Sequence, residues 1–182
     1  MSEPIKRMSV VEFLDWTMSQ PGRYELNEGL PVKMPAERTR HFRAKLKTAI
    51  ALLAEVKSAG LDCQVLADGI AVAVGERTVF EPDAVVYCGE RLSGDALPLP
   101  NPVIVVEVIS PSSEATYTGR KLAGYFKLES VRHYLAVEPE DGFLTHHERL
   151  ADGRIETHIH EREGALILDP PRLKAAVADF LP

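Results

Sequence analysis

This 182-residue chain has few cysteines, few aromatics and no long apolar run. Its two cysteines, Cys63 and Cys88, stand far apart and form no CxxC pair. That excludes a thioredoxin-like motif and a cysteine-based metal finger. Both read as small buried hydrophobes in a reducing compartment, so a cytoplasmic location is expected. The run VIVVEVIS at 103–110 carries a glutamate and is far shorter than the ~20 residues of a membrane-spanning helix. The opening MSEPIKRMS lacks the apolar core of a secretory signal, and no membrane partner is expected. An excess of positive charge is missing too. Lys and Arg number 21 against 27 Asp and Glu, a net charge of −6. A uniformly basic nucleic-acid-binding surface is thereby excluded, though a local one is not. The chain shows no internal repeat and no low-complexity segment, which removes solenoid and linker architectures.

What remains is an ordinary globular composition, 45% apolar and 26% charged. It predicts one domain over 1–182 with its ordered core from about residue 10. Ser9-Val-Val-Glu12 is a capping-box pattern opening a helix over Val10–Ser19, which stops near Pro21-Gly22. Tyr24–Leu26 and Leu30–Met34 form a hairpin with Gly29 in its turn. Phe42, Leu46, Ala49, Ile50, Leu53 and Val56 recur at helical spacing and predict an amphipathic helix over Glu37–Ser58. Strands are predicted at Cys63–Leu66, Ile70–Val74, Asp83–Cys88 and Val103–Ile109, with a Pro- and Gly-rich surface loop at 89–102. Ser110-Pro-Ser-Ser113 breaks the last of these, and a helix over Thr118–Leu128 follows, with Leu122, Tyr125 and Phe126 apolar. His133–Glu138 is another strand. Asp152-Gly153 turns a hairpin between Phe143–Arg149 and Ile155–Glu161. A short helix built on Leu173, Val177, Phe180 and Leu181 closes the chain. Strands and helices mix without strict alternation, which predicts a mixed α/β (α+β) fold around one central sheet.

Two carboxylates stand out against this pattern. Asp83 follows Pro82 in FEPDAVVY, and Glu107 interrupts VIVVEVIS. Both stretches read as buried strands, where a carboxylate is costly to desolvate unless a cation pairs with it. Strand alternation puts Val103, Val105, Glu107 and Ile109 on one face and Ile104, Val106 and Val108 on the other. If the two strands are neighbours, the acids converge at one end of the sheet. Such oxygen donors suit Mg²⁺ or Mn²⁺. Lys121, in the helix after Glu107, can point back over the sheet and stabilise developing charge. A purely structural Glu107–Lys121 ion pair explains the same residues. A second feature is the segment holding Lys33, Arg38, Arg40, Arg43, Lys45 and Lys47, interrupted only by Glu37. It is either a phosphate-facing surface or a solvated helix face.

Taken in order, RYELNEG at 23–29, a helix opening with His41, EPDAVVY at 81–87, NPVIVVEVISPSS at 101–113, GRKLAGY at 119–125 and VRHYLAVEP at 131–139 resemble the Uma-type family of restriction-endonuclease-like proteins, relatives of the PD-(D/E)xK nucleases. The resemblance runs from about Val10 to the C-terminus. It implies a central mixed sheet flanked by helices, with Asp83 and Glu107 as acidic metal ligands and the Val108 carbonyl as a further one. It also implies a Mg²⁺- or Mn²⁺-dependent endonuclease acting on nucleic acid, DNA in particular. The third residue of the superfamily's E-x-K is Ile109 here, and the family's helix lysine matches Lys121. Glu25 matches the glutamate of the family's YEL motif. It is either a further acid at the metal or a solvent-facing hairpin residue. His41 either faces the site or flanks a core stripe. Arg38, Arg40, His41, Arg43 and Lys45 are the candidates for contact with the nucleic-acid backbone. One departure is the Tyr117-Thr118-Gly119-Arg120 segment, where family members often carry an aspartate. Tyr125 and Phe126 read as packing residues.

Two other readings stand beside the nuclease. One is a nuclease fold that no longer cleaves and serves as a nucleic-acid or protein-interaction module. The other rests on His146, His147, His158 and His160, which the Asp152-Gly153 hairpin brings onto facing strands. They suit Zn²⁺ or Fe²⁺, whereas their charged neighbours suit an exposed polar face. A homodimer is compatible with the nuclease reading, since cutting both strands of a duplex needs two centres.

Overall fold

The computed structural model describes residues 7–109 and 115–181, and of 115–118 the backbone alone. Three helices lie among these residues: α1 (Val10–Thr17), α2 (Thr39–Ser58) and α3 (Ala115–Tyr125). The strands are β1 (Tyr24–Asn27), β2 (Leu30–Lys33), β3 (Cys63–Ala67), β4 (Val72–Gly75), β5 (Thr78–Phe80), β6 (Ala84–Cys88), β7 (Ile104–Val108), β8 (His133–Glu138), β9 (Phe143–Arg149), β10 (Ile155–Glu161), β11 (Ala165–Leu168) and β12 (Leu173–Ala176). A 3-10 turn follows at Val177–Asp179.

The central sheet runs β10-β9-β8-β7-β6-β3. Only β7 and β8 pair in parallel within it, and α3 lies in the connection between them. A parallel pair needs such a crossover because a tight turn cannot join strand ends at opposite edges. A second sheet runs β2-β1-β5-β4, and β11 pairs with β12 in a separate hairpin. The α2 side of the central sheet buries Ala44, Leu52 and Val56 against Val106, Val108, Leu135 and Val137. On the other side, Tyr125 of α3 packs with Val105, Tyr134 and the β4–β5 residues Val74 and Phe80. β7 is buried on both faces, which explains its uninterrupted Val/Ile character. The mixed α+β class read from the sequence is the class observed.

Local signals act as expected where they are short-range. The Ser9 side chain accepts from the Glu12 N–H and the Glu12 carboxylate accepts from the Ser9 N–H, a cap that stabilises α1 by ~1 kcal/mol. The β1–β2 turn holds Glu28 at φ 48° and Gly29 at φ 85°. Both are left-handed, as a two-residue hairpin turn requires. A Cβ on Gly29 would also lie 2.7 Å from the Arg7 Cβ. The β9–β10 hairpin has the predicted bounds and pairs His146 with His158.

Four expectations are corrected. First, α2 turns a different face inward. Ala44, Lys45, Thr48, Ala51, Leu52 and Val56 are buried, while Phe42, Leu46, Ile50 and Leu53 are each at least half exposed. Small side chains let the helix lie close on the sheet, and Lys45 is drawn inward by acids described below. Second, Cys63 and Cys88 are not isolated hydrophobes. The antiparallel β3–β6 register sets them directly opposite, with Cα atoms 4.1 Å apart, and they form a disulfide. Third, the C-terminal segment is the β11–β12 hairpin and a 3-10 turn instead of a helix. Leu166, Leu168, Leu173, Ala175 and Val177 alternate with exposed residues, a period of two. Fourth, β5 was not anticipated, and α3 begins at Ala115 instead of Thr118. The Ser110–Ser113 break lies outside the described residues. No helix among those described is long and apolar enough to cross a membrane.

Candidate active site

The β6–β7 register pairs Ala84 with Val106, so Asp83, one residue before β6, lies beside the end of β7. There its backbone N–H donates to the Val106 carbonyl (3.0 Å), and its Oδ2 accepts from the Val108 N–H (2.6 Å). The aspartate thus extends the ladder through its side chain. Its Oδ1 receives the Lys45 ammonium from α2 at 2.6 Å. Lys45 also reaches Glu37 and lies 3.3 Å from Asp68. Ligand oxygens of Glu37, Asp68 and Asp83 all fall within 4.8 Å of one another. Burial works against the Lys45 charge, but Asp83, Glu37 and Asp68 outweigh it and raise its pKa. Burial would raise Asp68, yet Arg23 and Lys45 hold it below the usual carboxylate range. Arg23 joins Asp68 (2.8 Å) to Glu81 (2.7 Å), which carries the network to the second sheet.

Glu107 points the other way, toward α3. Lys121 Nζ donates to its two oxygens at 2.8 and 2.9 Å, and the Tyr125 hydroxyl donates to Oε1 at 2.9 Å. Lys121 and Tyr125 are one helical turn apart, which puts both on the same face of α3. Glu25 on β1 shares the ammonium, with Oε1 2.9 Å from Lys121 Nζ, and accepts from the Glu81 N–H at 2.8 Å. Glu107 is pushed up to about 8, first by burial and further by Asp83 and Glu25, against the pull of Lys121. Burial raises Glu25 as well, against the pull of Lys121. Burial opposes the Lys121 charge, but Glu107 and Glu25 together raise its pKa and keep it an ammonium. Two carboxyls thus share one buried cation.

His41, at the start of α2, donates from Nε2 to the Val108 carbonyl at 2.7 Å. The α2 start and the β7 end are therefore fixed to each other, and His41 faces the site instead of the core stripe. The end of β7 presents three hard oxygen donors of two kinds, the Asp83 and Glu107 carboxylates and the Val108 carbonyl. That donor set fits Mg²⁺ or Mn²⁺ better than a softer ion.

The other sequence candidates divide. Lys121 and Glu25 come together at Glu107, and Glu25 is buried instead of solvent-facing. Arg38, Arg40 and Arg43 are exposed on the first turns of α2, with Arg40 paired to Glu140 at 2.8 Å. Lys45, expected on that basic surface, is buried within the carboxylate cluster. Tyr125 packs against Phe80 and Tyr134 as expected but also donates to Glu107. The Thr118 side chain lies outside the described residues. Glu37, Asp68, Glu81 and Arg23 were not singled out as site residues. A signal for Asp68 existed in the cysteines. The register that sets Cys63 opposite Cys88 continues until the Asp68 N–H donates to the Asp83 carbonyl (3.2 Å).

Comparisons with known proteins agree with this architecture. A family model named Uma2 and described as "Putative restriction endonuclease" matches residues 10–178. A Synechocystis protein, slr1290, described as uncharacterized, is 26% identical over 137 residues, 75% of this chain and 71% of that protein. A crystal structure from Anabaena variabilis, described as "a putative nuclease belonging to DUF820", shares the fold at 16% identity. Its TM-score is 0.75, over 95% of this chain and 97% of that one.

Proposed function

The chain belongs to the Uma2 family of restriction-endonuclease-like proteins, and from that premise we propose that it is a divalent-metal-dependent endonuclease hydrolysing the phosphodiester bonds of DNA. What supports this reading is that Asp83 and the Val108 carbonyl lie at one end of β7, with Glu107 on the α3 face of the same strand end beside Lys121. Asp83, Glu107 and Val108 would hold Mg²⁺ or Mn²⁺. Such an ion supplies Lewis acidity that polarises the phosphodiester and neutralises the charge building on it.

The remaining work falls to side chains. Lys121 stays charged, so its part is that of a hydrogen-bond donor that orients the attacking water and stabilises developing negative charge, not that of a base. Glu25 holds Lys121 in the charged form from the second sheet. His41 fixes the direction of the Val108 carbonyl. Lys45 balances the charge of Asp83. Arg38, Arg40 and Arg43 offer the exposed positive charge that draws a phosphate backbone toward an otherwise acidic protein. Cutting both strands of a duplex calls for two centres, and a second copy of the chain is the simplest source.

The test is nicking of supercoiled plasmid with Mg²⁺ or Mn²⁺, with EDTA as control. Cleavage should need the metal and fall by ~10²-fold or more in Asp83→Ala and in Glu107→Ala. DNA binding that survives both substitutions, with no cleavage by the wild type under either metal, would replace the enzyme with a binding module.

A further inference from the structure

A second group of ligating side chains lies on the opposite face of the central sheet from Glu107, at the other end of β7 and β8. The parallel β7–β8 register pairs Ile104 with His133 and Glu107 with Ala136, so His133 opens β8 where Glu107 nears the end of β7. Across β8, β9 and β10 the pairs are His133 with Glu148, Leu135 with His146, His146 with His158 and Leu144 with His160. Alternation therefore gives His133, His146, Glu148, His158 and His160 one common face. Leu135 and Leu144 share that face and pack with Leu166, Leu168 and Leu173 of the β11–β12 hairpin. His147, which the sequence grouped with these residues, projects to the other side, against Tyr134.

His133 and His146 are both buried, and His133 Nδ1 lies 2.9 Å from His146 Nε2. The other ring nitrogen of His133, Nε2, lies 3.0 Å from the Pro170 carbonyl in the β11–β12 connection. A carbonyl only accepts, so Nε2 carries the proton and Nδ1 presents a lone pair. Zinc-bound histidines commonly show this arrangement, one nitrogen on the metal and the other donating to a backbone carbonyl. Burial holds both imidazoles neutral, lowering His133 to about 4 and His146 to about 3. One ligand atom from each of His133, His146 and Glu148 falls within 4.8 Å of the other two. Zinc–nitrogen bonds of about 2.0–2.1 Å in a tetrahedron separate two nitrogens by ~3.3 Å, so the rings need part by only a few tenths of an ångström. An independent sign comes from His160. Its Nε2 is buried with no hydrogen-bond partner, and its ring centroid lies 5.9 Å from that of His146.

We propose that His133 Nδ1, His146 Nε2 and the Glu148 carboxylate form a binding site for a transition-metal ion of the Zn²⁺ class, with water or His160 in the fourth position. Two imidazoles and one carboxylate select Zn²⁺ over Mg²⁺, so the site differs in chemistry from the all-oxygen end of β7. On binding, His146 gives up its Nε2 proton and takes the Nδ1–H tautomer, remaining neutral. His133 keeps its bond to Pro170, so the ion ties the β11–β12 connection to the sheet. The role is structural, and the proposal does not depend on the nuclease reading.

The test uses the wild-type full chain, with excess Mg²⁺ present to occupy the oxygen site. After EDTA treatment and dialysis, Zn²⁺ is titrated in against a chromogenic chelator. Co²⁺ is added separately for its tetrahedral visible absorption. One Zn²⁺ per chain, a raised Tm and a tetrahedral Co²⁺ spectrum are expected. His146→Ala should abolish all three, and Glu148→Gln should weaken Zn²⁺ by ~10- to 100-fold. If His146→Ala fails to fold, as far-UV circular dichroism would reveal, the half-buried Glu148 decides alone. Absence of stoichiometric Zn²⁺ in the wild type, or Zn²⁺ affinity and Co²⁺ spectrum unchanged by Glu148→Gln, overturns the proposal. Zn²⁺ bound by the wild type but lost from a folded Asp83→Asn variant also overturns it, by assigning the ion to β7.

Discussion

Replacing Lys121 with methionine probes the charge arrangement most directly. Lys121 Nζ lies 2.8 Å from Glu107 Oε1 and 2.9 Å from Glu25 Oε1, and all three residues are buried. Methionine keeps most of the apolar stem and removes the ammonium, leaving two carboxyls in a dry site. Removing one partner of a buried ion pair costs about 3–5 kcal/mol, and two stranded carboxylates favour the upper part of that range. Protonation offers them an escape. Burial already raises Glu107 from 4.5 to about 8, and loss of the ammonium, which pulls it down, raises it further. A carboxyl raised on folding stabilises the native state fully below its unfolded pKa and loses that contribution as pH rises through the folded value. The variant should therefore suffer most at high pH. The expectation is a loss of about 4 kcal/mol at pH 8, shrinking to about 2 or less at pH 5.5. Adding Glu107→Gln should restore about 2 kcal/mol at pH 8, because one stranded charge is gone. Urea unfolding in EDTA at both pH values measures all of this. A cost below about 1 kcal/mol at pH 8, or the same cost at both pH values, would refute the buried charge sharing.

Gly124 lies where α3 meets β5, and an added Cβ would stand 2.6 Å from Phe80 Cε2 and 3.3 Å from Val74 Cγ2. Gly124→Ala should cost about 1–3 kcal/mol in urea unfolding and push Lys121 and Tyr125 away from Glu107, lowering any nicking activity as well. In metal-free protein, His133 and His146 are depressed to about 4 and about 3 by burial. A base lowered on folding gives stability that is present above its unfolded pKa of about 6.5 and lost as pH falls through the folded value. Stability should therefore drop between pH 7 and pH 5 by roughly 2–4 kcal/mol, and a His133→Phe, His146→Phe double variant that folds should lose that slope. Reducing the Cys63–Cys88 bridge, which closes 25 residues of sequence separation, should lower stability by about 3–4 kcal/mol, read as a shift of the urea midpoint with dithiothreitol. No shift on verified reduction would contradict the loop-closure argument.

Much of the fold was legible because its signals are local. The Ser9–Glu12 box, Gly29 at φ 85° and Asp152-Gly153 act over two to four residues, and each does what its spacing implied. The candidate site was legible for a related reason. Glu107 in an apolar run and Asp83 after Pro82 are costly residues to bury, and burial without a cation is what a folded chain avoids. Lys121, fourteen residues beyond Glu107, supplies that cation to the glutamate. The C-terminal leucines misled because Leu173, Val177 and Phe180 also fit a helical spacing, and nothing local said that Leu166 and Leu168 would pair beside them.

The sequence by itself determined most of the strands and helices up to β10, which turns close the hairpins, and that two acids must meet positive charge inside. Tertiary structure alone decided which face of α2 turns inward, that Lys45 serves Asp83 instead of the surface, that Cys63 meets Cys88, and that His133 from β8 joins His146 from β9. The division has a physical origin. Backbone conformation responds to neighbours a few residues away, whereas the partner of a buried charge, thiol or imidazole is chosen by strand register across the sheet, where close pairs can lie dozens of residues apart in the chain.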